Sequence, residues 1–273
     1  MSIEKRIESL MKKISPQERI GIEEHVDKLI YSVVGFMPAC DGVDNPLLIS
    51  NLAYTLSQKG LNVCVVDFKV FYPNLYQFLD VKPNKKGDGL LKVLRSDKAD
   101  FRDEINATKY ERLYMLNPSP QDLMEEYFDI DFENVERVIS TLKNMFDLIL
   151  IDIPNIPPLE LCIGAMKYCH IGFFTSTERI EAANNMMKLL DFASSIGVST
   201  AKFTSVILMN LQELQFDFKV LEDLNFNVAA KLPMVKSALV DSFVGKLYVK
   251  DNPLVNKFFI TGIDQLADRL INQ

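Results

Sequence analysis

Short apolar runs alternate with longer amphipathic stretches through most of this 273-residue chain. The apolar runs are continuous and rich in β-branched residues, which is typical of parallel strands that are buried on both faces. The stretches between them place apolar residues at helical spacing. We predict strands at 29–36, 62–68, 146–152, 171–177, 203–210 and 227–233, and helices at 46–59, 133–145, 179–196 and 253–271.

This alternation predicts an α/β fold, a doubly wound and mostly parallel sheet with helices on both faces. The start of the chain differs, because two helical patterns, at 2–14 and 17–29, are interrupted at Ser15-Pro16. We therefore expect a short N-terminal helical extension at 1–30, followed by one α/β domain at 31–273. The first helical pattern combines an apolar stripe with basic residues, namely Ile3, Ile7, Leu10, Met11 and Ile14 with Lys5, Arg6, Lys12 and Lys13.

Composition narrows the possible functions. A chain that is 48% hydrophobic and 25% charged has the balance of a soluble globular protein, and no apolar run reaches the length of a membrane span. The formal net charge of −7 argues against nucleic acid as a partner, since binding phosphates requires clustered lysine and arginine. The cysteines have neither zinc-site nor disulfide spacing, so we expect a cytoplasmic protein with reduced thiols: Cys40, Cys64, Cys162 and Cys169.

Polar residues follow three of the predicted strands. The loop 37–45 follows the first strand, Asp67 and Lys69 follow the second, and Asp152 ends the third. In open α/β sheets, ligands bind beyond the carboxyl ends of the strands. These positions are therefore the candidate functional site.

The order of these segments resembles the MinD/ParA group of P-loop ATPases. In that family a lysine-rich Walker A loop, KGGxGK[ST], precedes a strand ending in Asp-x-Asp and then a Walker B strand of the form YDxxIIDxPP. The corresponding segments here are NLAYTLSQKGLNVCVVD (51–67), RLYMLNPSPQDL (112–123) and FDLILIDIP (146–154). The stretch 245–270 resembles the closing segment of the pilus-assembly branch, the CpaE/TadZ proteins. The resemblance covers about residues 31–273 and implies a P-loop NTPase-like fold of the MinD/ParA type.

Aligned on this family, the first loop lacks the chemistry of a P-loop. Pro46 has neither the metal-binding hydroxyl nor a backbone N–H, and Asn45 replaces the phosphate-binding lysine. A carboxylate about 5 Å from a phosphate charge repels it by about 3 kcal/mol at an effective dielectric of about 20. We expect Asn45 to cap the following helix, with Pro46 at its first position. The vestigial positions in this loop are Cys40 at the signature lysine, Asp41, Gly42 and Asp44 at the glycines, Asn45 and Pro46.

Two further family motifs are altered or retained. Asp67 matches the first acidic residue of the Asp-x-Asp signature, whereas Lys69 replaces the carboxylate that orients the attacking water. We predict an ion pair between Lys69 and Asp152, Asp44 or Asp41; the alternative is that Lys69 still meets a phosphate. Asp152 matches the metal-linked Walker B aspartate.

Asn210 matches a family asparagine that contacts adenine, or it simply caps the turn after its strand. With the loop and the signature both altered, we expect no catalytic residue, no cofactor and no metal.

The resemblance then implies a pseudo-ATPase that serves as a localisation or assembly scaffold for a pilus- or secretion-type machine. We expect protein partners and a homodimer, formed across a nucleotide face where Phe36, Met37 and Leu47 are exposed. The N-terminal helix contacts an anionic membrane or a partner helix, or it packs on its own domain. We expect a cytoplasmic protein, with the inner face of the membrane or a cell pole as the candidate locations. The alternatives are an ATPase switch with an unusual P-loop and a ParA-type partitioning protein.

Overall fold

The computed structural model describes residues 29, 31–156, 158–179, 181–211, 219–251 and 256–271. The helical extension expected at 1–30 lies outside these residues, except for Leu29. The start of the last predicted helix, at 253–255, also lies outside them. Among the described residues, no helix is both long enough and apolar enough to cross a bilayer.

Eight strands form one sheet in the order β3-β4-β2-β5-β1-β6-β7-β8, in which every neighbouring pair is parallel except β3 with β4. The six predicted strands are all present. The sheet strands are β1 (Val33–Pro38), β2 (Val63–Asp67), β3 (Asn106–Ala107), β4 (Leu113–Leu116), β5 (Leu148–Asp152), β6 (Ile171–Ser176), β7 (Ser205–Leu211) and β8 (Asn227–Pro233).

The first strand is displaced toward the carboxyl end relative to its prediction. It continues through Met37 and Pro38, because these residues pair with Phe174 and Thr175 of β6. The strands β3 and β4 were not predicted. β4 has only four residues. β3 has two residues, neither of them buried, that pair antiparallel with β4. Neither strand produces an apolar run long enough to be recognised in the sequence.

Helices cover both faces of the sheet, as expected for a doubly wound fold. One apolar core lies between the sheet and α1, α9 and α11, and the other lies between the sheet and α5, α6 and α7. The helices are α1 (Asn45–Gln58), α2 (Leu75–Phe78), α3 (Leu90–Arg95), α4 (Phe101–Glu104), α5 (Phe132–Lys143), α6 (Leu159–Tyr168), α7 (Glu181–Ser195), α8 (Lys219–Asp223), α9 (Lys236–Ser242), α10 (Tyr248–Asp251) and α11 (Lys257–Ile271), with a 3-10 turn at Met124–Tyr127.

Candidate functional site

The three central strands bring the acidic candidates together at the carboxyl edge of the sheet. Asp67 of β2 and Asp152 of β5 are register partners, and Phe36 of β1 is the partner of Asp152 on the other side. Both aspartates are fully buried. Two carboxyl groups placed side by side without solvent require a counter-charge or a proton.

Lys69 supplies that counter-charge. Its Nζ lies 3.1 Å from Oδ1 of Asp152, and its side chain is 20% exposed to solvent. The backbone N–H of Lys69 also donates to Oδ1 of Asp67 at 2.9 Å. The ion pair predicted for Lys69 is therefore confirmed, with Asp152 as its partner among the three carboxylates considered.

Asn45 is the second group bound to Asp152. Its Nδ2 donates to Oδ1 of Asp152 at 3.1 Å and to the carbonyl of Phe36 at 3.3 Å, while its Oδ1 accepts a hydrogen bond from the hydroxyl of Thr175 at 2.5 Å. The amide thus connects β1, β5 and β6 with no solvent contact.

The expected helix cap at Asn45 is wrong. Asp44 occupies the cap position, Asn45 is the first helical residue and Pro46 is the second. The first helical bond runs from the Leu48 N–H to the Asp44 carbonyl at 3.1 Å. The side chain of Asn45 points into the protein because Asp152 and Thr175 offer it a buried acceptor and a buried donor.

The pKa values of the two aspartates are shifted in the same direction. Burial, followed by the charge of Asp152, raises the pKa of Asp67 to about 7. Burial also raises the pKa of Asp152, against the opposing effects of Lys69 and Asn45. Oδ2 of Asp152 has no hydrogen-bond partner among the described residues. The ion pair therefore balances one of the two negative charges, and burial keeps the pKa of both carboxyl groups above its ordinary value.

The loop before α1 is held by contacts with neighbouring strands. Nδ2 of Asn210 donates to the Gly42 carbonyl at 2.8 Å and to Oδ2 of Asp44 at 3.0 Å. Asn210 and Gly42 both have positive φ values, 54° and 79°. Within the described residues, the side chain of Asn210 thus binds the loop before α1. The turn after its own strand, which it was expected to cap, lies at 212–218 and outside the described residues.

Contacts from β6 and α7 hold the beginning of the same loop. The buried Sγ of Cys40 accepts from the Thr177 N–H at 3.5 Å, and Nδ2 of Asn185 donates to the Ala39 carbonyl at 2.9 Å. Asp41 is exposed at the tip, whereas Pro46 is buried at the start of α1. The loop is therefore fixed by protein groups on both sides.

The expected exposure of the apolar dimer face is wrong. Phe36 and Met37 are fully buried and Leu47 is nearly so. Phe36 and Met37 lie on β1, which has neighbouring strands on both sides and helices on both faces, so their side chains fill the two cores. Leu47 lies on the inner side of α1.

Thr175 is a site residue that the sequence analysis missed. Its hydroxyl contacts both Asn45 and the Met37 carbonyl, at 2.5 and 3.3 Å. The available signal was the polar TST at 175–177, which ends a strongly apolar run. The sheet order was needed to show that this strand end lies beside β1.

These residues do not offer the donor set that a magnesium nucleotide requires. The position after Asn45 has no hydroxyl, and Asn45 carries no charge. The Lys69 ammonium, 3.1 Å from one oxygen of Asp152, repels a second cation at that carboxylate. Across the described parts of the chain, no three His, Cys, Asp or Glu side chains are grouped as ligands for a metal ion.

Sheet order, helices on both faces and a strand-to-helix loop at the carboxyl edge define the P-loop NTPase-like fold of the MinD/ParA type. Solved structures agree. MinD from Pyrococcus horikoshii, in complex with Mg-ADP, is similar with a TM-score of 0.72 and 22% identity over 87% of this chain and 94% of that one. A ParA family ATPase from Chlorobium tepidum TLS has a TM-score of 0.73 and 19% identity over 87% and 98% of the two chains.

The MinC:MinD cell division complex of Aquifex aeolicus is also similar, with a TM-score of 0.71 and 19% identity over 88% of this chain and 95% of that one. No protein-family model matches the chain, and no curated protein matches it. At these identities the likeness shows a shared fold, while the chemistry has to be argued from the residues of this chain.

Proposed function

We propose that this chain is a MinD/ParA-like pseudo-ATPase that neither binds nor hydrolyses ATP and acts as a scaffold through protein contacts. One observation carries this proposal. The carboxylate at the Walker B position is bound by Lys69 and Asn45, two residues that stand where an ATPase of this type has a catalytic carboxylate and a phosphate-binding lysine. Internal side chains thus occupy the interactions that a nucleotide and its metal would need.

The loop supports the same conclusion. A P-loop binds phosphate through successive backbone N–H groups at the start of a helix. Here Pro46 removes one of those groups, Asp44 has its carboxylate at the helix start, and Asn210 holds the loop by Gly42 and Asp44. A polyphosphate would meet negative charge in a loop that is already stabilised without it.

Isothermal titration of the protein with ATP and Mg²⁺ tests the loss of nucleotide binding. We expect no binding heat up to about 1 mM nucleotide, which corresponds to a binding free energy weaker than about −4 kcal/mol. A MinD ATPase titrated under the same conditions is the positive control. Micromolar affinity would instead support an ATPase switch with an unusual P-loop.

We further propose that the scaffold serves a pilus- or secretion-type machine at the inner face of the membrane and works as a homodimer. The resemblance of 245–270 to the CpaE/TadZ branch supports the machine, and the MinC:MinD complex is a precedent for a partner protein on this fold. Affinity purification from the host, comparing the full chain with one that lacks 1–30, should recover components of such a machine. Recovery of DNA-partitioning proteins, with retention on DNA at physiological salt, would contradict it. Light scattering with and without ATP tests the dimer, which we expect to form equally in both conditions.

A further inference from the structure

One stretch of the surface exposes an unusual density of large apolar side chains. Leu123, Phe128 and Phe132 are 48%, 59% and 37% exposed, and they lie within ten residues that include the 3-10 turn and the first turn of α5. Exposed apolar side chains grouped in this way are typical of an interaction site. We call residues 121–136 the acidic apolar surface.

The charge of this segment is acidic, although Lys86 and Arg95 from neighbouring elements pair with Glu126 and Asp129 at 3.6 and 3.9 Å. Residues 121–136 contain seven acidic residues and no lysine or arginine. Some of the acids stabilise the fold: Asp122 accepts from the Tyr127 hydroxyl at 2.7 Å, and Asp131 caps α5. Neither Glu125 nor Glu133 takes part in an ion pair within the described part of the chain. The acidic apolar surface therefore suits an occupant that is apolar and basic.

A second group of exposed apolar side chains differs in charge. Val240, Phe243 and Val244 are 65%, 69% and 63% exposed, but the surrounding residues 236–251 carry three lysines and two aspartates. A basic occupant has no electrostatic preference for this second group. It therefore serves as a control for apolar contact without negative charge.

The chain itself contains a segment of the required chemistry. Residues 3–14 place five apolar residues at helical spacing and carry four basic residues against two acidic ones. Residues 15–28 can span up to about 46 Å when extended, and about 25 Å when 17–28 form the helix expected from the sequence. Either length covers at least half of the width of roughly 46 Å expected for the domain 31–273. We propose that residues 3–14 dock as a basic amphipathic helix on the acidic apolar surface of the same chain.

Zero-length crosslinking of the full-length protein tests the proposal. A carbodiimide joins a lysine to a carboxylate only when the two are in contact. We expect crosslinks from Lys5, Lys12 or Lys13 to Glu125 or Glu133, identified by mass spectrometry in the monomer band. Their yield should fall as salt is raised from about 0.05 to about 0.5 M, because the Debye screening length then shortens from over ~10 Å to roughly 4 Å.

Two matched variants separate specific docking from general stickiness. Phe128→Ser should lower the crosslink yield about five-fold, whereas Phe243→Ser, at the second apolar group, should leave it unchanged. Both side chains are more than half exposed, so both variants should unfold at the wild-type temperature.

Three outcomes would overturn the proposal. The first is crosslinks from these lysines to acids elsewhere, such as the exposed Glu111, or no crosslinks at all. The second is crosslinks that occur only between two copies, in a dimer band. The third combines two results: the full-length protein sediments with anionic phospholipid vesicles in a way that requires residues 3–14, and these residues give no crosslink to 121–136. That combination would assign residues 3–14 to membrane binding.

Discussion

Replacement of Lys69 by methionine probes the ion pair at the centre of the site. The change keeps the length of the side chain and removes the ammonium that lies 3.1 Å from Asp152. Asp152 is then left fully buried, with one oxygen bonded only to Asn45 and the other without a partner among the described residues. Removing one partner of a buried pair in this way costs about 3–5 kcal/mol of stability.

The cost should lie near the lower end of that range. Lys69 is partly exposed, and the burial that raises the pKa of Asp152 allows this carboxyl to take up a proton once the ammonium is gone. We expect Lys69→Met to lower the free energy of unfolding by about 3 kcal/mol at pH 7, and by less at pH 5, where protonation is easier.

The reciprocal change should cost less. Asp152→Asn leaves an unpaired ammonium, but the Lys69 side chain is 20% exposed and can reach water. We expect a loss of about 1 kcal/mol. The double variant Lys69→Met/Asp152→Asn should lose about 2 kcal/mol, and it should therefore be more stable than Lys69→Met alone. Compared with a loss of about 4 kcal/mol if the two changes were independent, this corresponds to a coupling free energy of about 2 kcal/mol.

Urea unfolding followed by circular dichroism measures all three variants. The control is Lys59→Met, which breaks the exposed ion pair with Asp268 and should cost less than about 1 kcal/mol. Equal unfolding midpoints for Lys69→Met and the wild type would refute the reasoning, and so would a double variant less stable than Lys69→Met.

Three further predictions concern neighbouring groups. The pKa of Asp67 is raised to about 7 in the folded protein, so its contribution to stability is present near pH 4 and is lost as the pH rises toward 7. The asparagine of the Asp67→Asn variant cannot ionise, so the stability of this variant minus that of the wild type should be higher at about pH 8 than at about pH 5. Urea unfolding midpoints of both proteins at the two pH values measure this difference. Asn45→Ala leaves the hydroxyl of Thr175 and the carboxylate of Asp152 short of a partner, and thermal unfolding should show a loss of about 2–3 kcal/mol; an unchanged midpoint would contradict the buried network. Gly42→Ala meets no atom within 4 Å but places a side chain at a φ of 79°, so we expect a loss of about 1 kcal/mol by urea unfolding, and a gain in stability would contradict that backbone conformation.

Much of the fold could be predicted because its strongest signal is local. Six apolar runs long enough to cross a buried sheet were read directly from the sequence, and each became a strand. The short strands β3 and β4 gave no such signal, because they depend on pairing with a strand that is already in place. The prediction of an exposed dimer face was wrong for a related reason. The burial of Phe36 depends on the order of the strands in the sheet, which the sequence does not show.

The candidate site was predicted where charge decided the outcome. A single lysine among several aspartates at the carboxyl edge of the sheet is expected to form an ion pair with one of them, and Lys69 pairs with Asp152. The role of Asn45 was not predictable, because the same residue type caps helices and bridges buried groups. Only the positions of Asp152 and Thr175 determine which of these occurs.

Crystallisation of the protein with Mg²⁺ and a non-hydrolysable ATP analogue tests the loss of the nucleotide site most directly. We expect density in which Lys69 remains within about 4 Å of Asp152, the distance of an intact ion pair, and no triphosphate lies against residues 40–47. A triphosphate bound to the backbone of that loop, with Lys69 turned away from Asp152, would contradict the proposed pseudo-ATPase.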